Sequence, residues 1–184
     1  MRQADRNQSP AGHPAASVIW HEAQALCHWL AQESGLPVML PSEAEWEKAA
    51  RGTDGRLYPW GNDWDASRCN TREGKCGGTT PIGAYSPRGD SPYGCADMAG
   101  NVWEWTRSLW GTGLRFPQYA YPYDPSDGRE NLVAANKVRR VLRGGSWYND
   151  QRYARCADRG RLLPYLLYYR AGFRVMVGPE TANL

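Results

Sequence analysis

No stretch of this chain stays apolar for the ~20 residues that a bilayer-spanning helix needs, and its first residues, MRQADRNQSPAGHP, lack the apolar centre of an export signal. The expectation is a cytoplasmic protein, or a piece of a longer one, with no membrane partner. Phenylalanine is nearly missing: there are 2 Phe against 9 Trp and 11 Tyr. Trp and Tyr bury a large apolar body while keeping a polar handle, so the bias suits interlocking loops and contact surfaces rather than an oily helical core. A strong charge of one sign is missing too, and a net charge of +3 does not by itself imply nucleic acid as a partner. Five cysteines (27, 69, 76, 95 and 156) are an odd number and do not make a complete disulfide framework. Cys69 and Cys76 could bridge a loop, but reduced structural thiols are the better reading without an export signal. There is no Ser-His-Asp arrangement, phosphate loop, paired-Cys zinc motif or internal repeat. His21 and His28 lie seven apart on one helix face, whereas a helical metal pair prefers a spacing of four.

The remaining composition is that of a globular domain. With 184 residues, 41% of them hydrophobic and 22% charged, the chain is long enough for one real core. Residues 1–17 are polar, carry Pro10 and Pro14, and read as a tail or linker to a domain spanning 18–184. Trp20 to Glu33 places Ala23, Leu26, Cys27 and Leu30 at helical spacing, and Gly35 stops it. Val38 to Leu40 is a short extended run. Ser42 and Glu45 form a capping box at the start of a second helix with Trp46, Ala49 and Ala50 as its buried stripe, and Gly52 supplies a left-handed exit. From Gly52 to Gly100 periodicity disappears into repeated turn chemistry. A loop region of that length usually means function or an ion holding it together. Asn101 to Thr106 alternates as a strand, with Trp103 and Trp105 on one side, and 107–137 is a second long loop.

The stretch from Arg139 to Val177 is the most informative. Its ends, Val141-Leu142-Arg143 and Gly172 to Val177, read as strand. Its middle crowds Tyr148, Asn149, Asp150, Tyr153, Asp158, Gly160, Leu162, Leu163, Tyr165, Leu166, Leu167, Tyr168 and Tyr169 together with no single period. Leu162-Leu163 and Leu166 to Tyr169 put adjacent residues in one class, so a strand could bury only alternate ones. The rest must face solvent, a loop or a partner. These thirteen positions are the candidate ligand-binding surface, because tyrosine gives large contact area at low entropy cost. The plain alternative is that they are core residues of irregular strands, which suits some of the leucines. The arginines, Gly144-Gly145-Ser146, Trp147 and Gly172-Phe173 are assigned to the scaffold.

Five motifs in succession carry a resemblance: Leu40 to Glu47 (LPSEAEWE), Tyr58-Pro59-Trp60-Gly61, Asp97 to Trp105 (DMAGNVWEW), Arg143 to Trp147 (RGGSW) and Gly172-Phe173-Arg174. Together they resemble the formylglycine-generating enzyme (sulfatase-modifying factor) family. The resemblance implies an α+β, C-type-lectin-like fold: a small twisted antiparallel sheet, two helices and long irregular loops. It implies that the strand preceding the first helix in that family is absent here. It also implies a structural calcium site, with the Asp97 and Glu104 side chains and the Gly100 and Val102 carbonyls as oxygen ligands. The plain alternative is that Asp97 caps its turn and Glu104 pairs with an arginine. A second family calcium position, near Asn70 and Thr71, lacks its matching Asp.

The family's catalysts need cysteines three and eight residues past the serine of the Gly-Gly-Ser turn, where thiolates bind copper. Those positions hold Asn149 and Ala154, and Cys156 is two residues out of place, so no copper and no catalysis are expected. The middle segment also resembles the variable region of diversity-generating retroelement variable proteins. Randomised Asn codons in such systems cannot yield Lys, Glu, Gln, Met or Trp, and from Arg152 to Arg174 none of the five occurs. The expectation is a monomeric, non-catalytic protein with a hypervariable surface on about 148–169, flanked by the Trp110–Tyr123 loop, binding a ligand that is a protein rather than a nucleic acid. The competing readings are a formylglycine-generating or sulfoxide-synthase-like oxidoreductase and a sensor module of a signalling protein.

Overall fold

Ser42 starts α2 (Glu43–Arg51) in the way the sequence expects: its Oγ accepts from the Glu45 amide at 3.2 Å and Glu45 accepts from the Ser42 amide at 2.7 Å. The computed structural model describes residues 9–179. Ahead of α2 lie α1 (Trp20–Ser34) and β1 (Val38–Met39), and after it come β2 (Trp103–Gly111), β3 (Arg139–Arg143), β4 (Gly160–Leu162), β5 (Ala171–Phe173) and β6 (Met176–Val177). The main sheet runs β4-β3-β2-β5, antiparallel except that β5 lies parallel to β2. A second sheet pairs β1 with β6 antiparallel. Two helices, mostly antiparallel small sheets and long irregular connections make this a C-type-lectin-like α+β fold.

Tryptophan does the stitching. Trp20, Ala23 and Cys27 of α1 pack with Leu40, Trp103, Trp105, Leu142 and Ala171 in the main core, and α2 brings Trp46 and Ala50 against Met98 and Cys156. Several buried indole N–H groups find acceptors far away in sequence: Trp20 donates to the Thr106 carbonyl at 2.9 Å and Trp105 to the Val18 carbonyl at 2.8 Å. Trp46 donates to Glu104 at 2.5 Å, and Arg174 grips the same carboxylate with two bonds of 2.6 Å. The buried charge on β2 is thereby paired and fully hydrogen-bonded. Gly100 is compelled by contact: a Cβ there would sit 2.1 Å from the Asn70 carbonyl oxygen.

Several expectations change. β2 runs five residues beyond Thr106, because β3 pairs it as far as Gly111, and it is buried on both faces. Gly172 to Val177, read as one strand, splits into β5 and β6 in different sheets. Leu26 leaves the α1 core stripe and is exposed. Gly52 has φ 67° but ψ −141°, outside the left-handed helical region. Residues 9–17, expected as tail, lie on the domain: His13 Nδ1 is 2.9 Å from Thr79 Oγ1, and the Ile82 amide donates to the Gly12 carbonyl. Residues 1–8 and 180–184 lie outside the described residues.

Glu104→Gln keeps the shape and removes the charge, leaving Arg174 without its counter-ion. It is expected to cost about 3 kcal/mol in urea unfolding, the lower end of the range because Arg174 retains some contact with water. A loss below about 1 kcal/mol would show that the pair does not organise the sheet.

Candidate binding site

The middle of the Arg139–Val177 stretch folds around Trp103, the first residue of β2. Its indole N–H donates to Asn149 Oδ1 at 2.9 Å, which fixes the ring, and Tyr153 meets it edge-on at 6.2 Å. A cavity of about 260 Å³ opens there, lined by Trp103, Tyr153, Gly160, Leu162 and Tyr168, with Asp158, Arg159 and Arg161. β4 approaches the indole so closely that a Cβ on Gly160 would lie 2.9 Å from it.

Beside this cleft a second aromatic group closes on Arg170. Its guanidinium lies 3.9 Å from the Tyr148 ring centroid and 4.3 Å from that of Tyr169, with Tyr168 at 5.0 Å and Trp147 at 5.8 Å. Cation–π attraction strengthens when the charge is partly desolvated. Arg170 therefore gathers residues about twenty positions apart into one surface. On the other flank, the Trp110–Tyr123 loop is tied in by arginines. Arg159 lies 5.0 Å from the Trp110 ring and 5.3 Å from Tyr121 and donates to the Tyr119 carbonyl at 3.0 Å, while Arg161 lies 5.1 Å from Trp110. Behind them Glu43, fully buried, takes two bonds of 2.7 Å from Arg159, with Arg129 at 3.6 Å.

The thirteen candidate residues divide. Tyr148, Tyr153, Tyr165, Leu166, Leu167 and Tyr169 are exposed, Tyr148 by 54% and Tyr169 by 53%. Leu163 is half-buried, and Leu162 and Tyr168 line the cleft with one side packed on the main core. Asp158 and Gly160 also line the cleft, whereas Asp150 and Asn149 are engaged within the fold. Asp150, at 9% exposure, pairs with Arg152 at 2.8 Å and Arg72 at 3.2 Å, and the Arg152 guanidinium holds its carboxyl down at about 2. Asn149 is spent on Trp103, Ser146 and the Arg72 amide. Gly160 contributes a lack of bulk rather than a contact. Asp158 is half-buried, and burial raises its pKa although Arg155 and Arg143 oppose this. Trp103, Arg159 and Arg161 line the cleft and Arg170 stands beside it, although the sequence reading assigns Trp103 to a strand and the arginines to the scaffold. Their partners are remote in sequence, so only the aromatic bias around them hints at the role.

The thiols are quiet. All five cysteines are free, including Cys69 and Cys76, and burial pushes Cys156 and Cys69 up to about 12 and Cys27 to about 11. Ala154, at the second of the catalytic cysteine positions, is buried beside Cys69 and Ala99. Asp97 and Glu104, the side-chain donors of the expected calcium site, line one cavity of about 200 Å³ with Asn101 and Val102. Asp97 Oδ2 accepts from the Gly83 amide at 2.7 Å, while both Glu104 oxygens engage Arg174. Burial raises the Asp97 pKa, and the charge of Glu104 adds to this. Asp97 is half-buried and Glu104 is paired with Arg174, which is the arrangement of a turn cap and an ion pair; a hard cation here would have to share Glu104 with Arg174.

Residues 1–178 match the sulfatase-modifying factor enzyme 1-like domain. The chain belongs to this family. The formylglycine-generating enzyme of Mus musculus is 33% identical over 181 residues, covering 89% of this chain and 44% of the enzyme. The inactive C-alpha-formylglycine-generating enzyme 2 of Bos taurus is 37% identical over 145 residues, 73% of this chain and 38% of that protein. The chain thus spans less than half the length of these curated relatives, and the family includes both active and inactive members. Among solved structures, Treponema denticola variable protein 1 superposes with a TM-score of 0.68 at 22% identity, covering 93% of this chain and 75% of that one. At that identity the likeness speaks for the fold.

The division of the thirteen residues predicts a split in stability. Tyr165→Ser and Leu166→Ser should change unfolding free energy by less than about 0.5 kcal/mol. Leu162→Ala should cost about 1–2 kcal/mol, since half a leucine's burial is lost, and Asn149→Ala about 1–3 kcal/mol by orphaning the Trp103 N–H. Thermal melts of the four variants check this.

Proposed function

We propose that this domain is a non-catalytic ligand-binding protein whose variable surface comprises the exposed part of residues 148–169 and the Trp103 cleft. The observation that carries the reading is the separation just described: side chains that hold the fold are buried and hydrogen-bonded, while Tyr148, Tyr153, Tyr165, Leu166, Leu167 and Tyr169 face outward from irregular backbone. Such positions can change identity at little cost to stability. The absence of Lys, Glu, Gln, Met and Trp between Arg152 and Arg174 supports diversification through Asn codons, and the fold shared with a variable protein is compatible with it.

The oxidase alternative lacks its chemistry. It needs two converging thiolates; Asn149 here accepts hydrogen bonds, Ala154 offers nothing, and Cys156 is a buried thiol held protonated. Inspection of the gene's surroundings tests the proposal: a reverse transcriptase and a near-copy template differing at adenines are expected, and the absence of both overturns diversification. Incubating the domain with copper and a cysteine-containing peptide should give no oxidised product; turnover would restore the enzyme.

A calcium ion held by Asp97, Glu104 and the Gly100 and Val102 carbonyls is proposed as a structural element of the scaffold. The sign of the Asp97 shift makes this testable. A carboxyl whose folded pKa is raised contributes stability below its unfolded pKa and loses it as pH rises through the folded value. The Asp97 contribution to the ion-free domain should therefore fall as pH rises through its folded pKa, read as the stability difference between the native chain and Asp97→Asn across pH, and calcium should reverse the loss. At a hundredfold excess over Kd the gain is about 2.7 kcal/mol, or about 5–10 °C in Tm. Asp97→Asn should stabilise the ion-free domain and abolish the calcium response. A Tm indifferent to chelator overturns the site.

A further inference from the structure

The charges around the cleft are one-sided. Between Arg139 and Arg174 lie nine arginines, and Asp150 and Asp158 are the only acids. Most of the arginines are committed: Arg143 to Glu47, Arg152 to Asp150, Arg159 to Glu43 and Arg174 to Glu104. Arg140 is buried and donates to backbone carbonyls. Arg139 donates to the Thr112 carbonyl and Arg155 faces Asp158. Arg161 and Arg170 differ in lying against the aromatic surface. Among the described residues no carboxylate lies within 4.0 Å of either. Each instead lies against aromatic rings, Arg161 beside Trp110 and Arg170 beside Tyr148 and Tyr169. Nε and Nη1 of Arg170 are buried without a hydrogen-bond partner, as are single guanidinium nitrogens of Arg129, Arg140 and Arg143, so Nη2 is the nitrogen left for an incoming acceptor.

The two acids do not cancel this. Asp150 is already neutralised by Arg152 and Arg72. Asp158 faces Arg155 at 3.7 Å. Arg161 lines the Trp103 cleft beside Leu162, and the exposed Leu166 and Leu167 lie between Arg161 and Arg170 in the chain.

We infer that the partner of this surface is an acidic protein segment in which carboxylates alternate with apolar or aromatic residues, the apolar side chains entering the Trp103 cleft and the carboxylates meeting Arg161 and Arg170. The inference rests on the binding reading above and adds the chemistry of the ligand. Single-stranded nucleic acid also combines negative charge with stacking, but it needs a track of cations along its backbone. Here two uncommitted arginines are separated by leucines, which favours a peptide.

The probes are three fluorescent peptides of the same tyrosine and leucine spacing, with glutamate, glutamine or lysine between, and a short thymidine oligonucleotide, titrated against the intact chain by polarisation at low salt. The glutamate peptide should bind about tenfold tighter than the glutamine peptide, and the advantage should fall with salt. Arg161→Ala should erase most of it, and Arg161→Glu should shift preference towards the lysine peptide. Arg161 is exposed, so an unchanged melt will show that both variants fold. Arg170→Lys, which keeps the charge but not the planar stack, should lose part of the affinity. Equal binding of the glutamate and glutamine peptides overturns the acidic partner and leaves the binding surface intact. Failure of all three peptides, or tighter binding of the oligonucleotide, also overturns it, and the binding reading is then judged by the genetic locus.

Discussion

A carboxylate in the interior has to be answered by donors, and Glu104 on β2 is the point at which this molecule meets that demand. Trp46 brings α2 to it and Arg174 brings the link between β5 and β6, while the sheet register sets Arg143 of β3 and Gly172 of β5 opposite. A slip of β2 by one residue would exchange the carboxylate for an indole and strand both donors, so the charge fixes register as well as position. Glu43 repeats the device at the start of α2. It draws Arg159 and Arg129 inward, and through them the segment around β4 and the long loop before β3. With so little regular structure available, paired ions and indole hydrogen bonds do what longer ladders do elsewhere.

Local chemistry was legible where the cause was local. The Ser42–Glu45 box, the stripe through Trp46 and Ala50, and the glycine after α1 follow from residues within one or two turns of each other, and they stand where the sequence puts them. The extension of β2 to Gly111 and the parting of β5 from β6 depend on partners far along the chain, Arg139 for Gly111 and Met39 for Met176, which no local pattern carries. The candidate site shows the same division. The outward tyrosines were legible because adjacent apolar residues cannot all turn inward. Asp150 and Asn149 were misread because a polar residue next to exposed tyrosines looks like a contact until Arg72, Arg152 and Trp103 are seen around it.

Asn149 also bears on how a catalytic family and a binding reading meet on one backbone. The resemblance places a copper-binding thiolate at this position. In this chain an amide stands there and its oxygen accepts from Trp103 and Ser146. The ring thus immobilised is the centre of the apolar cleft. The turn that positions chemistry in the family's catalysts here positions an aromatic surface, with the neighbouring strands and the Gly-Gly-Ser turn retained.

The arrangement of Arg170 has a further consequence, for evolvability. A guanidinium attracts any aromatic face and makes no demand on the identity of the ring. Tyr148, Tyr168 and Tyr169 can therefore each give way while the others still shield the charge. A cluster held by one tolerant cation crosses the stability threshold gradually as its members change, whereas a jigsaw of interdigitated side chains tends to fail at the first substitution. Within such a margin a recognition surface can be rewritten many times without the domain that carries it being lost.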